Sequence, residues 1–220
     1  MDPLSKIEEV VKSELSSSSH DLEHTYRVLR LALRIAETEP LCNIEVLRLA
    51  AILHDIARVK EDTDTARKID HSVLGAEMAE KILKELSFDD KTISEVSHCI
   101  RAHRFRGSER PETLEAKILS DADKLDAIGV IGIARAFMIA GEWGEPLYMD
   151  FEGEENYLKN TESGRIKNQK NHSPNIEYEV KLKRIPERLY TEEAKRLAQE
   201  RVKFMEEFFA RLSKELKGEL

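Results

Sequence analysis

The stretch AAILHDIARV, residues 50–59, sets a histidine and an aspartate side by side in an apolar run. On a helix, His54 shares a face with Leu47, Ala50 and Ala51, so it points where a core belongs. Asp55 follows about 100° further round the wheel. A buried carboxylate costs several kcal/mol unless it is paired or bound to a metal. Imidazole plus carboxylate is a standard ligand mix for a divalent ion. The plainer alternative is a structural His–Asp hydrogen bond between helices.

Two further stretches bear on that choice. His24 shares a helical face with Val28 and can meet His54 across an antiparallel helix pair. In ILSDADKLDAIG, residues 118–129, three aspartates interrupt an apolar run. Leu114, Ile118 and Leu125 mark one face of that helix, and Ala116, Leu119, Asp123 and Ala127 another. Apolar residues on two faces make the helix central, so some carboxylate there must be buried. Periodicity does not choose between Asp121, on the first face, and Asp123, on the second.

The elements that must bring these residues together are helical nearly throughout. Asp2-Pro3 reads as a helix start, and SSSS at 16–19 as its end. Further helices are expected over about 21–36, 43–57, 71–86, 89–103, 112–128 and 129–140. Residues 60–70 are charged and patternless and read as a loop. Residues 141–190 hold GEWGEP, NTESG and NQKNHSPN, turn-rich and polar, and are expected to form an excursion or lid with one or two short helices. From Thr191, an N-cap candidate with Glu192 and Glu193 in the first turn, a long amphipathic helix returns to pack on the bundle. The expectation is a single domain over 1–220: a metal-binding core at 20–140, the excursion at 141–190 and a terminal helix at 191–217. No strand is expected.

Composition narrows the function. The 220 residues carry a formal net charge of −8, so no global basic field draws the chain to nucleic acid. No basic–aromatic surface motif supports such binding either. Two cysteines, Cys42 and Cys99, are too few for a disulfide framework and read as small buried hydrophobes. No signal-like segment or apolar run of membrane length is present. A soluble, cytoplasmic protein that meets neither membrane nor nucleic acid is expected. Phe204, Phe208, Phe209 and Trp143 suit a homodimer face or the core equally.

His24, then His54-Asp55, then an aspartate in DADKLDA resembles the signature of the HD-domain metal-dependent phosphohydrolases. HRFR at 103–106, DADKLDAIGVIGIAR at 121–135 and the terminal EEAKRLAQERVKFMEEFF resemble a small bacterial and archaeal subgroup, so the likeness covers most of the chain. The resemblance implies an all-α HD-domain helical bundle. It implies a divalent metal, Mn²⁺, Mg²⁺ or another transition ion, on His24, His54, Asp55 and Asp123. It also implies a nucleotide or related small phosphate compound as substrate. Such an ion lowers the pKa of bound water and neutralises phosphoryl charge.

Other residues then acquire candidate roles. Asp55, His71 and His103 are the catalytic candidates; the two histidines suit phosphate contact, leaving-group protonation or a second metal. Arg58, Arg104 and Arg106 suit bidentate phosphate binding. Arg58 alternatively pairs with Asp126. Lys124 stands where family members contact phosphate, and His98 is a weaker substrate-binding candidate. His20 and His172 lie in polar stretches and are expected to be solvated. A non-catalytic nucleotide or metal sensor is the competing function. An oxidative two-iron enzyme ranks below it, because no additional acidic ligand stands out near His71.

Overall fold

The structure is a computed structural model that describes residues 3–15, 22–66, 68–104, 109–162 and 165–220. Asp2, the SSSS run, His20 and Arg106 lie outside these residues. The chain divides into two compact units, Met1–Lys124 and Leu125–Leu220.

The first unit begins with α1 (Pro3–Glu14), α2 (Leu22–Ala36) and α3 (Ile44–Leu53). Every residue of α3 from Val46 to Leu53 except Arg48 is buried, the mark of a helix packed on all sides. It lies against α1, α2 and α6 (Asp90–Ala102), and α6 packs on α5 (His71–Glu85). Asn43 starts α3 by accepting hydrogen bonds from the Glu45 and Val46 amides at 3.2 and 3.3 Å. Asp70 starts α5 in the same way, accepting from the Ser72 amide at 2.9 Å, and so fixes His71 in the first turn.

Two expected boundaries move. The third helix stops at Leu53, with His54 as its C-cap, instead of running to residue 57. The segment read as a loop at 60–70 opens with a further helix, α4 (Arg58–Thr63). It has no buried residue and hence no apolar stripe, so periodicity carried no signal for it. α7 (Leu114–Asp126) ends near the division between the units, and Asp121 and Asp126 on it are both buried.

The second unit contains α8 (Gly129–Trp143), α9 (Glu154–Lys159), α10 (Pro174–Val180), a 3-10 segment (Leu182–Arg188) and α11 (Glu192–Leu216). α8 closes on Gly144, whose φ of 68° is the left-handed conformation that a helix C-terminus often takes. α11 packs on α8 and on the 3-10 segment. Phe209 stacks on Tyr178 with centroids 4.9 Å apart and meets Phe137 and Phe208 edge-on or stacked. Phe209 is therefore core, while Phe204 and Trp143 are exposed. A two-residue hairpin, β1 (Thr161–Glu162) against β2 (Arg165–Ile166), corrects the expectation of no strand. The polar stretch also holds more helix than expected. No helix among the described residues is long and apolar enough to cross a membrane. Cys99 is buried, whereas Cys42 is partly exposed.

Candidate metal centre

The break after Leu53 carries His54 and Asp55 into a turn that faces three other histidines. All the groups concerned belong to the first unit. Asp55 is the hub. Its Oδ2 lies 3.7 Å from His24 Nε2 and 3.7 Å from His54 Nε2. Its Oδ1 lies 3.4 Å from His71 Nε2 and 3.6 Å from His103 Nε2. Asp123 Oδ1 approaches His24 Nε2 at 3.4 Å. Two groups have donor atoms close enough to share an ion: His24 with His54 and Asp55, and His71 with His103 and Asp55.

Proton placement indicates what this cluster lacks. His54 Nδ1 is 2.8 Å from the Ala51 carbonyl, and His103 Nδ1 is 2.6 Å from the Ile100 carbonyl. A carbonyl only accepts, so both Nδ1 atoms carry protons and both Nε2 atoms of the neutral rings are bare. His71 Nδ1 is 2.6 Å from Glu61 Oε2, which makes the same demand. The Nε2 atoms of His71 and His103 are then 3.3 Å apart with two lone pairs opposed. Positive charge between them resolves the clash, and a divalent cation suits imidazole nitrogens with an ionised carboxylate. The donors present fit a metal ion.

The electrostatics agree. Burial pushes His54 down to about 4, so it is a neutral ligand rather than a cation. Burial alone would raise Asp55, yet the imidazoles of His54, His103 and His71 hold it well below the usual carboxylate range. Burial also opposes ionisation of Asp123, and His24 overcomes it in the same direction. The contact between His103 and Asp55 acts reciprocally: burial disfavours the His103 cation, but the two aspartates raise its affinity for a proton.

Around this centre the structure sorts the remaining candidates. Arg58 Nη1 lies 3.3 Å from Glu61 and 3.2 Å from His71 Nδ1, and Arg58 Nε lies 3.4 Å from Asp62. Asp126 pairs with Arg135 at 3.1 Å within the second unit. Arg104 bridges Glu61 at 3.0 Å and Asp70 at 2.6 Å. Lys124 is buried, and its ammonium donates to the Ser120 carbonyl at 3.0 Å and to the Ser120 hydroxyl. His98 has both ring nitrogens engaged elsewhere, with Glu109 at 2.8 Å and the Glu112 amide at 3.1 Å.

Glu61 escaped the sequence reading. Its side chain is only 7% exposed and touches His71, Arg58 and Arg104. The carboxylate lies on the Nδ1 side of the ring, however, and not among the Nε2 donors. The Arg58–Glu61 spacing of three on a short helix was the one signal available. His172 is a correction: it is buried, not solvated, with Glu145 at 3.1 Å and Glu177 at 3.4 Å.

The chain is similar to known proteins over the same region and beyond it. The HD domain family matches residues 21–128. The uncharacterized protein YpgQ of Bacillus subtilis is 33% identical over 202 residues, 92% of this chain and 87% of that one. The crystal structure of B. subtilis YpgQ in complex with ADP matches with a TM-score of 0.73 at 29% identity, covering 97% of this chain and 94% of that chain. A predicted HD superfamily hydrolase from an uncultured Thermotogales bacterium matches with a TM-score of 0.66 at 31% identity, covering 97% and 92%. The 3'-5' exoribonuclease YhaM of Listeria welshimeri is 30% identical over 116 residues, 47% of this chain but only 37% of that protein. Signature, helical architecture and relatives agree: the chain belongs to the HD domain family and is one of its metal-dependent phosphohydrolases.

Proposed function

We propose that the protein hydrolyses a phosphoester or phosphoanhydride bond of a nucleotide or similar small phosphate compound. His24, His54, Asp55 and Asp123 are the residues assigned to a divalent ion, with Mn²⁺ the first candidate. When bound there, the ion supplies Lewis acidity and acidifies a water. One observation carries this assignment: the two oxygens of Asp55 face two different imidazole pairs, with both Nε2 atoms of the second pair bare. That second pair, His71 and His103, gives the protein a place for a second ion or for a phosphate oxygen. Asp55 then holds both halves of the site in register.

Arg58 and Arg104 are assigned to substrate phosphate, since both guanidinium groups stand beside His71, directly or through Glu61. The ADP complex of YpgQ supports a nucleotide as ligand. A cytoplasmic location and a homodimer are part of the same proposal. Lys124 and His98 are weaker phosphate candidates, because Ser120 holds the first and Glu109 the second.

A second possibility comes from the likeness to YhaM, which favours the phosphodiester of an RNA 3' end. The net charge of −8 weighs against a long polyanion. The test is a screen of metal-stripped protein reloaded with Mn²⁺, Mg²⁺, Co²⁺ or Fe²⁺. Nucleoside mono-, di- and triphosphates and a single-stranded RNA oligonucleotide are offered, and products are separated by chromatography. Turnover of a nucleotide with a restored ion is expected. Nucleotide binding without product in every metal would replace the hydrolase with a sensor, and RNA trimming alone would replace the substrate.

A further inference from the structure

His54 and His103 owe their tautomers to main-chain carbonyls inside their own helix turns. His71 has no such carbonyl. It opens α5, and the group behind its ring is the carboxylate of Glu61, ten residues earlier on α4. Two neighbours compete for His71 Nδ1. Arg58 Nη1, at 3.2 Å, can only donate and would need a bare Nδ1. Glu61 Oε2, at 2.6 Å, can only accept when ionised and needs Nδ1–H. The shorter, charge-assisted contact prevails.

We infer that Glu61 is a positioning residue that keeps the proton of His71 on Nδ1 and so presents a bare Nε2 to Asp55 and His103. It acts through His71 and does not itself bind the ion; among the described residues, the groups able to share a metal do not include it. Three donors converge on the one carboxylate: Arg58, Arg104 and His71. Glu61 therefore also fixes where the two guanidinium groups stand relative to the imidazole. Removing it hands His71 Nδ1 to Arg58. The proton then moves to Nε2, where it occupies the lone pair a ligand needs.

The affinity part of this inference rests on the proposed metal site; the tautomer part does not. Long-range proton–nitrogen correlation spectra of the metal-free protein, at mildly alkaline pH, report which ring nitrogen is protonated. His71→Gln identifies the resonance. The wild type is expected to show Nδ1–H, Glu61→Ala to show Nε2–H, and Glu61→Gln, which keeps an acceptor oxygen, to retain Nδ1–H. Affinity for a second Mn²⁺ at His71 and His103, read by paramagnetic titration, should fall roughly 10–100-fold in Glu61→Ala, the range for loss of a group that orients a metal-ligating histidine. If Glu61→Ala does not fold, the wild-type and Glu61→Gln spectra decide alone. A wild-type His71 protonated on Nε2, or on both nitrogens, overturns the inference. So does a Glu61→Ala variant with Nδ1–H and unchanged affinity. Should the wild type turn over no phosphate compound with any ion, the proposed function falls while the spectra still decide the role of Glu61.

Discussion

Among the described residues, buried imidazoles stand in two places, and the two solve the problem of a buried ring in opposite ways. In the first unit four imidazoles surround Asp55, with Nε2 atoms facing one another at 3.3 and 3.4 Å. Nitrogen atoms there face nitrogen atoms and the carboxylate between them. In the second unit one imidazole, His172, stands between Glu145 and Glu177, with a carboxylate on each side. Acceptors there exceed donors, and one added proton makes an imidazolium with a carboxylate facing each edge. The first arrangement offers imidazole nitrogens and a carboxylate to a cation. The second offers two carboxylates to a proton. Histidine content therefore does not mark a metal site; the direction of the unshared electron pairs does.

The largest expected effect breaks the first cluster at its hub. Asp55→Asn removes the charge shared by both imidazole pairs but keeps the volume. Loss of the ion removes several kcal/mol of transition-state charge stabilisation, about a thousandfold or more in turnover. Metal content by elemental analysis should fall with activity, while circular dichroism stays helical. A variant that keeps its metal and its rate would remove Asp55 from the centre.

Breaking the second cluster should cost stability and leave chemistry alone. His172→Ala strands the Glu145 carboxylate, whose side chain is 4% exposed, without its partner. An unsatisfied buried group costs about 1–3 kcal/mol. Thermal unfolding should shift down by several degrees at this chain length. Turnover per folded molecule should match the wild type. A loss of rate greater than the loss of folded protein would show that His172 serves the reaction.

The two clusters also answer pH with opposite signs. Burial disfavours the His172 cation, but Glu177 and Glu145 raise its pKa above the ordinary 6.5. Its contribution is complete below that value and is lost as pH rises through the raised one. Burial likewise opposes ionised Glu177, yet Lys181 and His172 pull it down to about 2. That contribution is present above the ordinary 4.5 and is lost as pH falls toward about 2. Between 4.5 and 6.5 both act together. Tyr157, whose ring centroid is 6.2 Å away, is the other titratable side chain at His172. Protection of α10 amides, taken relative to their intrinsic base-catalysed exchange rate, should thus fall above neutral pH. Metal occupancy of the first cluster should instead improve as pH rises, because imidazole ligands must be deprotonated. Parallel pH profiles for α10 exchange and metal release would refute the contrast.

What the sequence made legible follows from the same contrast. His24, His54 and Asp55 could be placed because helical periodicity puts them on apolar faces, where an imidazole or carboxylate is out of place. The all-α class rested on the same periodicity. The choice of Asp123 over Asp121 came from resemblance, since the sequence puts both on apolar faces of α7; in the structure Asp121 is buried, while Asp123 is partly exposed and approaches His24. Glu61 was hidden because α4 has no apolar stripe, and its contact with His71 is made across an irregular turn. His172 was misjudged because a polar neighbourhood in sequence was equated with a wet one. Residues 172–178 supply both the polar pattern and a buried run, including Ser173, Asn175 and Tyr178. Polar groups that satisfy one another can be buried without any periodic signature.

The smallest effect tests whether the cations beside the centre belong to its chemistry or only to its frame. Arg104 has both guanidinium ends occupied, by Glu61 and by Asp70. A phosphate oxygen must compete with these carboxylates, so only part of a charge-assisted hydrogen bond is left for the substrate. Such a bond is worth about 1.5–3 kcal/mol when whole. Arg104→Lys keeps the charge but loses the fork that can hold two carboxylates and still face a phosphate. KM for the substrate should rise a few-fold, on the order of 1 kcal/mol, with kcat nearly unchanged. A fall in kcat with KM constant would mean that Arg104 acts on the transition state. No change in either would confine it to bracing Glu61 and the start of α5.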